Sequence, residues 1–81
     1  MASKVTVLYF AALRDASGVA SEVVQTAATD LRGLYDELQA RHGLQFPARQ
    51  LRVAVDGDFA KWDEALRDGV EVAFIPPVSG G

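Results

Sequence analysis

Residues 68–77, Asp68-Gly69-Val70-Glu71-Val72-Ala73-Phe74-Ile75-Pro76-Pro77, contain one element together with both of its ends. Asp-Gly is a turn dipeptide, the next six residues suit a strand, and two prolines prevent that strand from continuing. Period-two alternation puts Val70, Val72 and Phe74 on one face and Glu71, Ala73 and Ile75 on the other. A matching run stands at the opposite end of the chain. Lys4-Val5-Thr6-Val7-Leu8-Tyr9-Phe10 is rich in β-branched and aromatic residues, with Val5, Val7 and Tyr9 on one face and Thr6, Leu8 and Phe10 on the other.

Between these two runs the pattern changes several times. Arg14 to Val19 contains Asp15, Ser17 and Gly18 and reads as a loop, after which Ser21 to Thr26 forms a second strand and closes a hairpin. Thr29 is the expected N-cap of a helix with Asp30 in its first turn. Leu31, Leu34, Tyr35 and Leu38 then recur at helical spacing until Gly43 stops the element. Gly33 within it costs about 1 kcal/mol relative to alanine and marks either close packing or nothing at all. Phe46-Pro47 lies in a crossing loop, and Leu51 to Asp56 alternates as a third strand before the turn Asp56-Gly57. Phe59, Trp62 and Leu66 fit a short strand followed by an irregular or one-turn helical segment.

The order is therefore strand, strand, helix, strand, short strand, strand. A chain of 81 residues is too short for a doubly wound sheet, so this order predicts an α+β fold in which a mixed sheet grasps one helix. That is the β-grasp, or ubiquitin-like, architecture. Its first and last strands lie parallel at the centre, the helix covers one face, and the other face displays Leu8, Phe10, Ala73 and Ile75. Residues 1–75 form the one domain, and residues 76–81 leave it as a tail.

Composition restricts what such a domain can do. There is no cysteine and one histidine, His42, which removes thiol nucleophiles, Cys/His zinc sites and disulfide chemistry. No metal site and no active site of its own are expected. His42 precedes Gly43 at the end of the helical pattern, where an imidazole serves as a partner for the last carbonyls. The longest apolar run, Val7 to Leu13, is far short of the ~18 residues of a membrane span, and the N-terminus lacks a signal-peptide core, so a cytoplasmic location is expected. The formal charge is −3, and the eight basic residues are scattered rather than aligned, which argues against nucleic acid as a partner. Residues 56–71 hold six acidic and two basic side chains, a solvated surface or a patch that steers the chain toward basic enzymes.

The chemistry lies in Pro76-Pro77-Val78-Ser79-Gly80-Gly81. Two prolines make a stiff base, and six extended residues reach at most ~20 Å, far enough to enter another protein's cleft. Gly80 and Gly81 have no Cβ, so the terminal carboxylate is unhindered. A carboxylate is a poor electrophile, but by attacking the α-phosphate of ATP it becomes an acyl adenylate open to sulfur or amine nucleophiles.

The ending Phe74 to Gly81, the preceding Asp68 to Ala73 and the opening Val7-Leu8-Tyr9-Phe10-Ala11-Ala12-Leu13-Arg14 together resemble the small subunits of molybdopterin synthase, which are ubiquitin-like sulfur carriers. Ser79 stands where threonine is also common in that family, and residues 19–50 share only its pattern. The resemblance implies that a ubiquitin-activating-type adenylyltransferase converts Gly81 to a glycyl adenylate using ATP. A sulfur-donating sulfurtransferase then leaves a thiocarboxylate there, and no cofactor is held stably. The tail would enter the synthase large subunit, in a heterotetramer, and give sulfur to a cyclic pyranopterin phosphate to build the molybdopterin dithiolene. Leu8, Phe10, Arg14, Ile75, Pro76, Pro77, Val78 and Ser79 are the expected partner contacts, Gly81 the covalent sulfur donor and Gly80 its unhindered neighbour. Carriers for thiamine, cysteine or transfer-RNA thiolation share the fold and the ending. A ubiquitin-like protein modifier and a plain interaction module also remain open.

Overall fold

Five strands form one mixed sheet in the order β2-β1-β5-β3-β4 in the computed structural model, which describes residues 2–77. The strands are β1 (Ser3–Tyr9), β2 (Ser21–Thr26), β3 (Arg52–Val55), β4 (Asp58–Ala60) and β5 (Glu71–Ile75). The central pair, β1 and β5, is parallel, with Val7 opposite Val72 and Tyr9 opposite Phe74. Their neighbours are antiparallel: β2 on β1, β3 on β5, and β4 on β3. The β-grasp order expected from the sequence is the one observed.

Helix α2 (Leu31–His42) lies on the face carrying Val5, Val7, Tyr9, Val72 and Phe74. It contributes Leu31, Leu34, Tyr35 and Leu38, each fully buried. Tyr35, Trp62 and Phe74 form an aromatic cluster with ring centroids 5.1–5.9 Å apart, the rings of Trp62 and Phe74 lying nearly parallel. The Tyr35 hydroxyl donates to the Phe46 carbonyl at 2.6 Å, so this buried phenol is satisfied without water.

Three expectations need correction. Residues 14–19 are not all loop: Ala11–Ser17 forms a second helix, α1, which buries Leu13 and ends at Gly18 in the left-handed region. The N-cap of α2 is Asp30 rather than Thr29; its carboxylate accepts from the Gly33 N–H at 2.8 Å. A Cβ on Gly33 would stand 3.1 Å from that carboxylate oxygen, which gives the glycine its packing reason. Finally, His42 does not use its ring on the helix's last carbonyls. Its Nε2 lies 2.7 Å from Glu22 Oε2, an oxygen that also accepts from the Tyr9 hydroxyl at 2.5 Å.

Two turns spend acidic side chains on the backbone. Asp56 and Gly57 both take positive φ, as a tight two-residue hairpin loop of the primed kind requires, and Asp56 Oδ1 accepts from the Glu71 N–H. Asp68 Oδ1 accepts from the Lys4 N–H at 2.7 Å, fastening the entry of β5 beside the start of β1.

Candidate functional site

Alternation along the strands sends a second set of side chains to the face away from α2. From edge to edge, the register aligns Ser21, Leu8, Ala73, Ala54 and Phe59 in one row across all five strands. Two alanines in the middle keep the row low at its centre, with Leu8 and Phe59 on either side. Phe59 is 67% exposed and Val23, on β2, is 60% exposed. Monomeric proteins seldom leave large apolar side chains this bare on one face, and such patches mark interaction surfaces.

Along β5 the same face continues to Ile75, which pairs with Arg52. Pro76 is buried and Pro77 is exposed. A groove of about 440 Å³ opens at this point, lined by Ile75, Pro76 and Pro77 together with Arg49, Arg52 and Phe59 among others. The strand thus delivers the start of the tail to the rim of the apolar face.

Of the sequence-predicted contacts, Leu8 and Ile75 are half-buried on this face. Phe10 lies one residue beyond β1 as the N-cap of α1, with its side chain 46% exposed. Arg14 lies not in a loop but within α1, where its carbonyl accepts the Gly18 N–H and its side chain is exposed. Val78, Ser79, Gly80 and Gly81 lie outside the described residues. Sequence reasoning missed Phe59, Val23 and Arg52. The signal for Phe59 was available: a two-residue Asp56-Gly57 loop pairs Val55 with Asp58 and so sets Phe59 opposite Ala54 on the open face.

The large side chains of the row and of the groove are aliphatic, aromatic or basic, with Thr6, Ser21 and Glu71 beside them on the same face, a set suited to docking. Among the described residues no three His, Cys, Asp or Glu side chains converge as metal ligands, and no helix is long and apolar enough to cross a membrane. The strongest electrostatic perturbation is elsewhere, on the helix side. Burial, and then Glu22, push the Tyr9 hydroxyl well above the usual phenol range. Burial tends to raise the Glu22 carboxyl, but the hydrogen bonds from Tyr9 and His42 outweigh it and leave the group below its ordinary value.

Residues 7–81 match the model of the ThiS family. The chain belongs to the ThiS family. This ThiS-family chain is 41% identical over 81 residues to the molybdopterin synthase sulfur carrier subunit of Mycobacterium tuberculosis (strain ATCC 25618 / H37Rv), a match covering 96% of this chain and 98% of that one. It also resembles a chain in the complex of subunits 1 and 2 of the molybdopterin-converting factor from Helicobacter pylori 26695. There the identity is 26% and the TM-score 0.64, over 96% of this chain and 99% of that one. A third similar protein is SAMP1 from Haloferax volcanii, 25% identical with a TM-score of 0.78, over 98% and 100% of the two chains.

Proposed function

We propose that this chain is the sulfur carrier subunit of a molybdopterin synthase, with the Gly81 carboxyl as the group that carries sulfur. The observation that carries this reading is the 41% identity to a protein of that name across nearly the whole of both chains. The fold agrees with it, since the central strand β5 ends in two prolines at the rim of an open apolar face. That is the arrangement a carrier needs: a surface to hold the partner and a stiff base that aims the tail.

In this reading an activating enzyme of the ubiquitin-activating type binds the open face. The Gly81 carboxylate attacks the α-phosphate of ATP, pyrophosphate leaves, and a glycyl adenylate forms. Hydrosulfide-level sulfur supplied by a sulfurtransferase then attacks the acyl carbon, the bond to AMP breaks, and loss of a proton leaves a thiocarboxylate. The synthase large subunit takes the place of the activating enzyme, receives the tail and supplies the catalytic groups. Sulfur passes to a cyclic pyranopterin phosphate twice, which yields the dithiolene. The reaction belongs in the cytoplasm on this reading, and the chain itself contributes no catalytic residue beyond Gly81.

The test is incubation with the cognate activating enzyme, ATP and a sulfur source, followed by intact-mass measurement. One oxygen-for-sulfur exchange located at Gly81 is expected. An unchanged mass, or conjugates on lysines in place of the exchange, overturns the reading; the second result assigns the chain to the protein modifiers.

A further inference from the structure

We infer that the groove at the root of the tail receives an acidic segment of the synthase large subunit, whose carboxylates pair with Arg49 and Arg52. This rests on the partner named in the proposed function and adds the chemistry by which that partner is recognised.

Four observations support it. First, both arginines line the groove, Arg49 from the 3-10 turn Ala48–Gln50 and Arg52 from the first position of β3. Second, the side chains of Arg32 and Arg41 are spent on Asp36 and Glu37 along α2, but among the described residues no carboxylate lies within 4 Å of Arg49 or Arg52. Third, the Arg52 guanidinium carbon sits 5.2 Å from the centroid of the Phe59 ring. A guanidinium stacked in this way is held in place while the N–H groups along its edge stay available, which is the geometry a carboxylate takes in bidentate pairing. Fourth, the surrounding chain has the opposite sign: net charge is −3, and residues 56–71 hold six acids against two bases.

Taken together, these features give an acidic segment a place to settle on a chain whose net charge is otherwise unfavourable to it. Two arginines without a continuing basic stripe fit a pair of carboxylates better than a nucleic acid backbone. Pro76 and Pro77 line the same groove, so a carboxylate bound there holds the partner against the base of the tail at the point where it must enter. The arginines thereby set the direction of entry as well as the attraction.

The experiment is calorimetric titration of the cognate large subunit with the full chain, at about 50 and about 300 mM salt. Four proteins are compared: wild type, R49E/R52E, R49K/R52K, and R32E/R41E, which makes the same change of net charge on α2. The R49E/R52E protein should bind at least about tenfold more weakly at low salt and lose most of its salt dependence. R49K/R52K should fall between it and wild type, since lysine keeps the charge but not the fork. R32E/R41E should stay within about twofold of wild type. Circular dichroism melts check that the exposed replacements leave the fold intact. Equal binding by R49E/R52E and wild type overturns the inference and leaves the proposed function standing. An equal loss in R32E/R41E also overturns it, by making net charge sufficient. If wild type does not bind the large subunit at all, the inference falls together with the proposed partner.

Discussion

Glu22 Oε2 accepts from Tyr9 and faces His42 Nε2, and this one oxygen ties the middle of the sheet to the last turn of α2. The Tyr9 and His42 rings also meet edge to face, with centroids 5.7 Å apart. The sign of the resulting pH dependence follows from the carboxyl's lowered value in the fold. A group that ionises more readily when folded than unfolded stabilises the fold above its unfolded value and loses that contribution as pH falls through the folded one. The unfolded carboxyl titrates near 4.5, so the loss begins there and continues below it. Glu22→Gln should cost about 1 kcal/mol at neutral pH and flatten the acid limb of stability between neutrality and pH 3, read from urea midpoints. Tyr9 acts in the other direction. Its hydroxyl is raised on folding, so its contribution is complete below the ordinary value of 10.0 and is lost as pH climbs beyond that, a limb that Tyr9→Phe should reduce.

The elements depend on one another through their ends. The first three N–H groups of α2 have no partners inside the helix, and each finds one outside it. Leu31 donates to the Glu64 carbonyl at 3.1 Å, Arg32 to the Trp62 carbonyl at 3.0 Å, and Gly33 to the Asp30 carboxylate. Residues 62–66 are irregular because their carbonyls cap the helix instead of extending β4. Asp30→Ala should therefore cost about 1 kcal/mol, a melting shift of roughly 4–8 °C for a domain of this size. Thr29→Ala should change stability by no more than about 0.5 kcal/mol, because the structure gives the Thr29 side chain no capping bond. Comparing the two melts decides which residue starts the helix. The sequence carried the strands and α2 well, because alternation and the spacing of Leu31, Leu34, Tyr35 and Leu38 are strong signals. It did not reveal α1, whose seven residues bury only Leu13 and are interrupted by Asp15 and Ser17. The same local reading chose Thr29 over Asp30, since both are good caps and only the position of the Gly33 N–H separates them.

At the level of the molecule, the parity of β1 and β5 already exposed Leu8 and Ile75, whereas Phe59 and Arg52 needed the register of a hairpin at the far edge. Phe59 and Arg52 extend the expected docking surface from a central patch to a band that runs across the sheet to the tail's root. Fixing a chain segment in a partner's cleft costs about 1–2 kcal/mol per residue, less where proline has already restricted the backbone. The open face must offset this cost, so replacements there should weaken association without unfolding the domain. Deleting Gly81 should do the reverse, abolishing sulfur loading while the melt stays within about 1 °C of wild type, since a terminal residue beyond the sheet contributes little to stability. Phe59→Ser provides the sharper test, because its ring is two-thirds exposed and is absent from the buried core cluster. Its melt should change by no more than about 0.5 kcal/mol, while its affinity for the large subunit falls about tenfold or more. Ile75→Glu and Phe10→Glu should weaken binding in the same way. Unchanged affinity in all three would mean that the band is ordinary surface and that the tail alone holds the partner. A loss of stability matching the loss of binding would instead make Phe59 part of the domain's own packing.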